Sequence, residues 1–157
     1  MKVDEMPGRR KMCAADERLV PRIPDILQSG PNECGRAVLA TVAQFFGLST
    51  ESLDTPDLQG EISLWALRTA ARATGLRAVP VRTTRHELVR LRMPCVALCR
   101  STCRIKGAPK HHFIAIFRVD DAGLLVRDPN VGTYKMSNER FEERWTGVLM
   151  LLSPRTH

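Results

Sequence analysis

Apolar residues recur at helical spacing in the first half of the chain. From Gly35 to Phe46, Val, Ala and Phe return every three or four positions, and Gly47 follows directly. This spacing predicts a helix that buries one face and ends at the glycine. The same pattern from Leu64 to Thr74, after Ser63 as a candidate N-cap, predicts a second helix. The first half is therefore expected to be mainly helical.

After Pro94 the pattern changes to short apolar runs of strand length. Two further short helices are predicted, one beginning at the capping-box sequence of Thr84 and one running from Ser137 to Trp145. Helices followed by an antiparallel sheet predict an α+β fold, with the helical N-terminal half packed on the sheet. The runs that indicate the strands are CVALC at 95–99, HFIAIFRV at 112–119, LLVR at 124–127 and GVLMLLS at 147–153.

The length of the chain and its first residues set the expected domain boundaries. A chain of 157 residues is of the right size for one domain with a single core. Residues 1–20 show no periodicity and mix Pro, Gly and both signs of charge, which is typical of a flexible segment. We therefore expect a flexible segment at 1–20 and one folded domain at 21–157.

Two features predict the cellular compartment. No stretch reaches the roughly 18 to 20 uninterrupted apolar residues that cross a bilayer, and the N-terminus lacks the apolar middle of a signal peptide. The five cysteines are an odd number, which argues against a disulfide framework and for a reducing compartment. Together they predict a cytoplasmic protein with free thiols.

The net charge of +7 could attract nucleic acid, an anionic membrane face or an acidic peptide. The arginines are scattered along the chain, and one Tyr and two Trp are few for stacking on bases. We therefore interpret the charge as a solvated basic surface and expect no nucleic-acid partner. A nucleic-acid-binding module remains a minor alternative, which salt-dependent binding would reveal.

Cys34 lies at the first turn of the predicted helix and is followed by the small Gly35. The unsatisfied N–H groups and the dipole of a helix N-terminus favour a negative charge. A thiol at this position is suited to form the thiolate that a nucleophilic cysteine needs. Taken alone, however, a Cys at the start of an apolar helix is more often a buried structural thiol.

His112 and Asp128 lie on two apolar runs joined by a turn sequence, which predicts a β-hairpin. With a three-residue loop at 121–123, Asp120 pairs with Leu124, and Asp128 falls on the same face as His112. With a two-residue loop, the two side chains would lie on opposite faces. We predict the three-residue form, since an imidazole that acts as a base needs a group that orients it.

Each of these residues also has an ordinary explanation. Asp128 begins an Asp-Pro-Asn-x-Gly sequence that is typical of turns. His112 could simply end a strand, and its neighbour His111 is a competing base.

The cysteines at 95, 99 and 103 recur every fourth residue and precede two histidines. The spacing differs from the CxxC hooks of structural zinc sites. In a strand with a rise of ~3.3 Å per residue, Cys95 and Cys99 are about 13 Å apart, too far for one ion. We therefore expect free thiols and no metal.

Four motifs occur in the order found in a known family. The chain resembles, over about Pro21 to Pro154, the bacteriocin-processing double-glycine peptidases, which form the papain-like N-terminal domain of peptidase-containing ABC transporters. The matching motifs are Gln28-Ser-Gly-Pro-Asn-Glu-Cys34-Gly-Arg-Ala-Val-Leu-Ala, His112-Phe-Ile-Ala-Ile, Val126-Arg-Asp128-Pro-Asn-Val-Gly132, and the ending with Phe141 and Trp145-Thr-Gly-Val148.

The resemblance implies a papain-like fold with its active site between the helical half and the sheet. Cys34 would be the nucleophile, His112 the general base and Asp128 the residue that orients the histidine. Gln28, six residues before the cysteine, would donate its side-chain amide to the oxyanion. The chemistry of the family needs no cofactor and no metal.

The resemblance also implies a substrate and partners. The enzyme would remove the leader of a ribosomally made, bacteriocin-like precursor peptide after a double-glycine motif. Its partners would be that precursor and the transmembrane and ATP-binding domains of an ABC transporter, at the cytoplasmic face of the inner membrane. We expect the isolated domain to be a monomer.

Two alternatives stay open. The chain could be a catalytically silent domain that docks leader peptides, or a stand-alone papain-like protease that acts on other proteins. A reactive Cys34 thiol argues against the first, and a neighbouring transporter segment or precursor gene argues against the second.

Overall fold

The fold of the chain is α+β, as the apolar pattern predicts. The computed structural model describes residues 8–27, 30, 33–101, 106 and 110–155. Seven strands form one antiparallel sheet in the order β1-β6-β5-β4-β3-β7-β2. The strands are β1 (Arg9–Arg10), β2 (Leu76–Arg82), β3 (Cys95–Arg100), β4 (His111–Asp120), β5 (Gly123–Asp128), β6 (Gly132–Met136) and β7 (Trp145–Pro154).

Five α-helices accompany the sheet in the described part of the chain. They are α1 (Ala14–Leu19), α2 (Cys34–Phe45), α3 (Leu64–Ala73), α4 (Arg85–Leu88) and α5 (Asn138–Arg144). The predicted N-caps are confirmed: the hydroxyl oxygens of Ser63, Thr84 and Ser137 each accept a backbone N–H of the first helical turn. None of the described helices is both long and apolar enough to span a membrane.

The sheet is buried on both faces, and the alternation of side chains along β4 demonstrates this. Phe113, Ala115 and Phe117 face a core shared with α2 and α3. Ile114 and Ile116 face a second core on the other side, beneath α4 and α5. The sheet thus packs against a helical layer on one face and against two short helices on the other. Strand β4 lies between β3 and β5 and is covered on both faces.

Besides β1, two strands were missed by the sequence analysis. Leu76–Arg82 forms β2 at one edge of the sheet, paired with β7, and Gly132–Met136 forms β6. The first of these contains Pro80, which usually argues against a strand and is tolerated where one side of the strand has no partner. Strand β6 is short and directly follows a turn sequence, so it contains few alternating apolar and polar residues by which it could be recognised.

The ordered structure begins before Val20, where the sequence analysis placed the start of the domain. Arg9–Arg10 pairs with β6, and α1 follows. On α1, Asp16 is fully buried and accepts a hydrogen bond from the Nζ of Lys135 at 2.8 Å. Lys135 also donates to Asp120 at 2.7 Å. The mixed charge of residues 8–20 therefore includes a buried ion pair with the sheet, which composition alone cannot distinguish from a solvated segment.

Replacing Lys135 with methionine is expected to destabilise the fold by about 3 kcal/mol, because the buried Asp16 loses its hydrogen-bonded cation and keeps Arg118, whose Nε lies 3.2 Å from its Oδ1. Lys135 is fully buried, so no water can replace it without rearrangement. Urea unfolding at neutral pH measures the loss. The exposed Lys11→Met is the control, and equal unfolding free energies for both variants would contradict the structural role of the ion pair.

The same cluster predicts a dependence of stability on acid. Burial by itself raises the pKa of Asp16, but the hydrogen bond and charge of Lys135 outweigh it and lower the pKa below 3.8. A carboxyl whose pKa is lowered on folding stabilises the folded state above its unfolded pKa. We expect this contribution to disappear as the pH falls below 3.8 in the wild type, and to be smaller in Lys135→Met, in which Arg118 still faces Asp16.

Candidate active site

Cys34 is the first residue of α2, as expected, and is 6% exposed. The first turn of α2 contains no acidic residue, so nothing within the helix neutralises the positive end of its dipole. Gly35 has a packing reason: a Cβ there would lie 2.7 Å from the Cδ1 of Ile62. The glycine therefore lets the segment before α3 pack closely against the helix start that carries the thiol.

His112 and Asp128 meet at the end of the sheet. His112 is the second residue of β4 and Asp128 the last of β5. The Nε2 of His112 lies 2.8 Å from the Oδ1 of Asp128, and the two residues are 9% and 3% exposed. A hydrogen bond of this length between buried groups holds the imidazole ring in one orientation.

The hairpin that joins them has a different turn from the predicted one. Asp120 pairs with Gly123, so the loop has two residues and the predicted three-residue form is wrong. A shift in the ladder between Ile116 and Arg118 leaves Phe117 as an extra residue in β4. This β-bulge shifts the alternation of side chains between the two faces of the sheet by one position. The side chains of His112 and Asp128 therefore lie on the same face. The expected proximity arises from the bulge and not from the turn.

Cys34 lies close enough to His112 to act on the pKa of its imidazole. Because Asp128 occupies Nε2, Nδ1 is the ring nitrogen left for the thiol. Burial lowers the pKa of the imidazole, but the interactions with Asp128 and Cys34 outweigh it and raise the pKa of His112 to about 9. The thiol, the imidazole and the carboxylate thus come together where α2, β4 and β5 meet.

Asp128 stays ionised in this environment. Burial raises its pKa, but the hydrogen bond and charge of His112, the backbone N–H of Asn130 and the charge of Arg144 together lower it below 3.8. The N–H of Asn130 donates to Oδ1 at 2.9 Å. The Asp-Pro-Asn turn therefore supports the carboxylate locally, so a turn role of Asp128 is compatible with its hydrogen bond to His112.

The remaining sequence-predicted residues have different placements. Gln28, the expected oxyanion donor, and Cys103 lie outside the described residues. His111 is exposed and, with Phe113, lines a cavity of about 320 Å³ beside the site. Its other lining residues are Glu61, Ile62, Ser63, Leu64 and Leu98. The neighbouring Trp65 is 67% exposed.

The other described cysteines are unsuited to nucleophilic chemistry or to metal binding. Cys95 and Cys99 are buried, and burial raises the pKa of both thiols, that of Cys99 to about 12. Cys13, Asp16 and Asp120 place one thiol and two carboxylates within 4.8 Å of one another. Both carboxylates accept from Lys135, however, so its ammonium group already provides their positive partner.

One buried charge near the site was missed by the sequence analysis. Arg144, the last residue of α5, is 9% exposed, and its charge acts on Asp128. Arg144 lies three residues after the buried Phe141, so both are on the same helix face. This spacing is the sequence feature that could have predicted its burial.

Known proteins of similar sequence and fold support a family assignment. The pattern of the Peptidase C39 family matches residues 22–157. An uncharacterized protein of Methanothermobacter thermautotrophicus is 27% identical over 131 residues, covering 81% of this chain and 86% of that protein. The transport/processing ATP-binding protein ComA of Streptococcus pneumoniae is 28% identical over 130 residues, covering 78% of this chain and 17% of ComA. This chain thus corresponds to a small part of that longer protein.

Among solved structures, the chain is similar to a double glycine motif protease from an AMS/PCAT transporter in complex with the leader peptide. The TM-score is 0.69 at 23% sequence identity, and the match covers 96% of both chains. This likeness establishes the fold. Because the family pattern extends over most of the chain, the protein belongs to the Peptidase C39 family and is a cysteine peptidase with a papain-like fold.

Proposed function

We propose that this peptidase removes the leader of a ribosomally made, bacteriocin-like precursor peptide by cutting after a double-glycine motif, with Cys34 as nucleophile. The observation that carries the proposal is the placement of Cys34, His112 and Asp128 in one buried site, with the Nε2 of His112 2.8 Å from the Oδ1 of Asp128. The names of the relatives support the substrate class, since ComA is a transport and processing protein and the similar solved structure is a double glycine motif protease with its leader peptide.

The reaction begins with transfer of the Cys34 proton to His112. A pKa of about 9 keeps His112 in the imidazolium form at neutral pH, which is the form that accompanies a Cys34 thiolate. The thiolate attacks the carbonyl carbon of the scissile bond, a C–S bond forms, and the carbonyl electron pair moves to oxygen. The backbone N–H of Cys34 and the side chain of Gln28 are the proposed donors to this oxyanion.

His112 then acts as acid and afterwards as base. The imidazolium gives its proton to the leaving amine as the C–N bond breaks, and the acyl group remains on sulfur as a thioester. A water molecule attacks the thioester while His112 takes its proton. The C–S bond then breaks, the carboxylic acid product leaves, and the Cys34 thiolate with its imidazolium partner is restored. Asp128 holds the ring in place through both proton transfers, because its carboxylate stays bound to Nε2.

The proposed assembly follows from the same relatives. The peptidase domain is proposed to span residues 21–157, and to act with the transmembrane and ATP-binding domains of an ABC transporter at the cytoplasmic face of the membrane. A double-glycine requirement means that the cleft next to Cys34 excludes side chains near the scissile bond. The remaining leader would bind as an amphipathic helix, and the net charge of +7 would attract its acidic residues.

Mass spectrometry of cleavage products tests the specificity. The substrates are leader peptides that end in Gly-Gly, Gly-Ala, Ala-Ala or Val-Val, with identical sequences elsewhere. We expect cleavage after Gly-Gly and Gly-Ala and none after Val-Val. Equal cleavage of all four peptides would favour a protease that acts on other proteins, and binding of all four without cleavage would favour a silent docking domain.

Alkylation of the thiols is a second, independent test against the docking alternative. Iodoacetamide at mildly acidic pH should modify Cys34 much faster than the exposed Cys13, because only Cys34 has an imidazolium partner. Peptide mapping of the carbamidomethyl groups measures both rates. Equally slow modification of the two thiols would contradict a thiolate at Cys34.

A further inference from the structure

Arg144 is a buried arginine near Cys34, His112 and Asp128, and it forms no direct ion pair with any described residue. Arg144 is 9% exposed, and its Nε is buried without a hydrogen-bond partner. Among the described residues, no carboxylate lies within salt-bridge distance of its nitrogen atoms. A buried cation without a partner is destabilising, so its position calls for a counter-charge nearby.

The strand ladders put Arg144 next to the site. Cys99 of β3 pairs with His112 on one side and with Trp145 on the other, and Arg144 directly precedes Trp145. The charge of Arg144 acts on Asp128, on Cys99 and on Tyr134, three groups that point to the same side of the sheet. Of these groups, Asp128 is the one that carries a negative charge at neutral pH.

Arg144 forms no direct ion pair with Asp128, and this affects how Asp128 binds His112. A bidentate pair with an arginine would draw the oxygens of a carboxylate away from other donors. In the absence of such a pair, Oδ1 of Asp128 binds the Nε2 of His112 at 2.8 Å and accepts the N–H of Asn130 at 2.9 Å. The positive charge stabilises the anion, yet it does not compete for the hydrogen bond that orients the imidazole.

We propose that Arg144 is a positioning residue, whose buried and unpaired charge keeps Asp128 ionised and directed at His112. This inference rests on the proposed function for its catalytic meaning. No hydrogen bond or ion pair joins Arg144 to Cys34 or His112 in the described part of the chain, so its charge acts on Asp128 and on the imidazolium through space.

The other charged residues around the site do not replace the effect of Arg144 on Asp128. His112 faces Cys34 from α2 and Asp128 from β5. The further cations act on neighbouring groups and not on Asp128: Arg100 acts on Cys99, and Arg140 on Tyr134. Burial raises the pKa values of Cys99 and Tyr134 to about 12, so both are neutral in the working range.

Removal of a nearby positive charge raises the pKa of every acid that it faces. In Arg144→Met, we therefore expect Asp128 to bind a proton at higher pH and His112 to keep its proton to higher pH. Both the acid limb of kcat/KM for leader cleavage and the His112 midpoint in an NMR titration should move up by about 0.5 to 1 unit. Cleavage at the wild-type optimum should fall about tenfold.

Two further variants separate charge from packing. Arg144→Lys keeps the charge, so it should keep the wild-type midpoints even if its rate is lower. Arg140→Met removes the same charge from the same helix, where it pairs with the exposed Glu143, and should leave both midpoints unchanged. Should Arg144→Met not fold, Arg144→Gln provides the same readout with a polar side chain of similar length.

Unmoved midpoints in the neutral variants, or an equal shift in Arg144→Lys, would overturn the proposal. The NMR titration reads His112 directly and needs no turnover. It therefore tests Arg144 even if another residue proves to be the nucleophile, an outcome that would refute the proposed function and leave the electrostatic result standing.

Discussion

Replacing Cys34 with alanine is expected to abolish leader cleavage while leaving the fold intact. Without the sulfur no thioester can form, and the rest of the site cannot supply another attacking atom. In a peptidase with a triad of nucleophile, base and carboxylate, loss of the nucleophile lowers kcat by about 10⁶-fold, so turnover by Cys34→Ala should fall below detection. Mass spectrometry of the products after long incubation measures the residual turnover.

Two comparisons make this result specific. Cys13→Ala removes an exposed thiol that is distant in sequence from the site and should retain wild-type cleavage. Thermal unfolding of Cys34→Ala should give a midpoint close to that of the wild type, since a small side chain loses one atom. Retained turnover in Cys34→Ala, with normal folding, would refute the assignment of the nucleophile.

Replacing Asp128 is expected to have the second-largest effect. Asp128→Ala removes the hydrogen bond and the charge that raise the pKa of His112 to about 9, while the burial that lowers it remains. The alkaline limb of kcat/KM should therefore move to lower pH, and cleavage should fall by about 10²-fold or more because the ring loses its orientation. The pH profile with a leader peptide as substrate measures both effects.

Asp128→Asn separates orientation from charge. An amide oxygen can still accept from Nε2 of His112, so much of the ring orientation should be kept, whereas the negative charge is lost. We expect its rate to lie between those of the wild type and Asp128→Ala, with the alkaline limb lowered in both variants. An unchanged alkaline limb in both would show that Asp128 does not control the histidine.

The same interaction predicts how stability depends on alkaline pH. The pKa of His112 is raised on folding from 6.5 to about 9. A group with a raised pKa stabilises the folded state fully below its unfolded pKa, and this contribution is lost as the pH rises through the folded value. The unfolding free energy should therefore decline between pH 6.5 and 9 in the wild type, and less steeply in Asp128→Asn.

Several features of the fold could be predicted because their signals are local. The helices α2 to α5 follow from apolar spacing and from cap residues such as Ser63 and Ser137, which act within one turn. The placement of Cys34 at a helix start has the same origin. The strands β3, β4, β5 and β7 follow from runs of apolar residues that are buried on both faces.

The features that were missed depend on partners far away in the sequence. Strand β1 and helix α1 are held by Lys135, more than a hundred positions later, so the mixed charge near Asp16 looked like a solvated segment. The edge strand β2 contains Pro80, and only its pairing with β7 reveals it. Burial of Arg144 likewise depends on the packing of α5 over the sheet.

By itself, the sequence determined the helix and strand periods, the helix start at Cys34 and the motifs that resemble the Peptidase C39 family. Only the tertiary structure decided how Asp128 reaches His112, because strand register is set by pairing and the bulge at Phe117 reverses the effect of the two-residue turn. It also decided which charges are buried together. Local propensity and composition act within a few residues, whereas hydrogen bonding and electrostatics act between groups that only folding brings into contact.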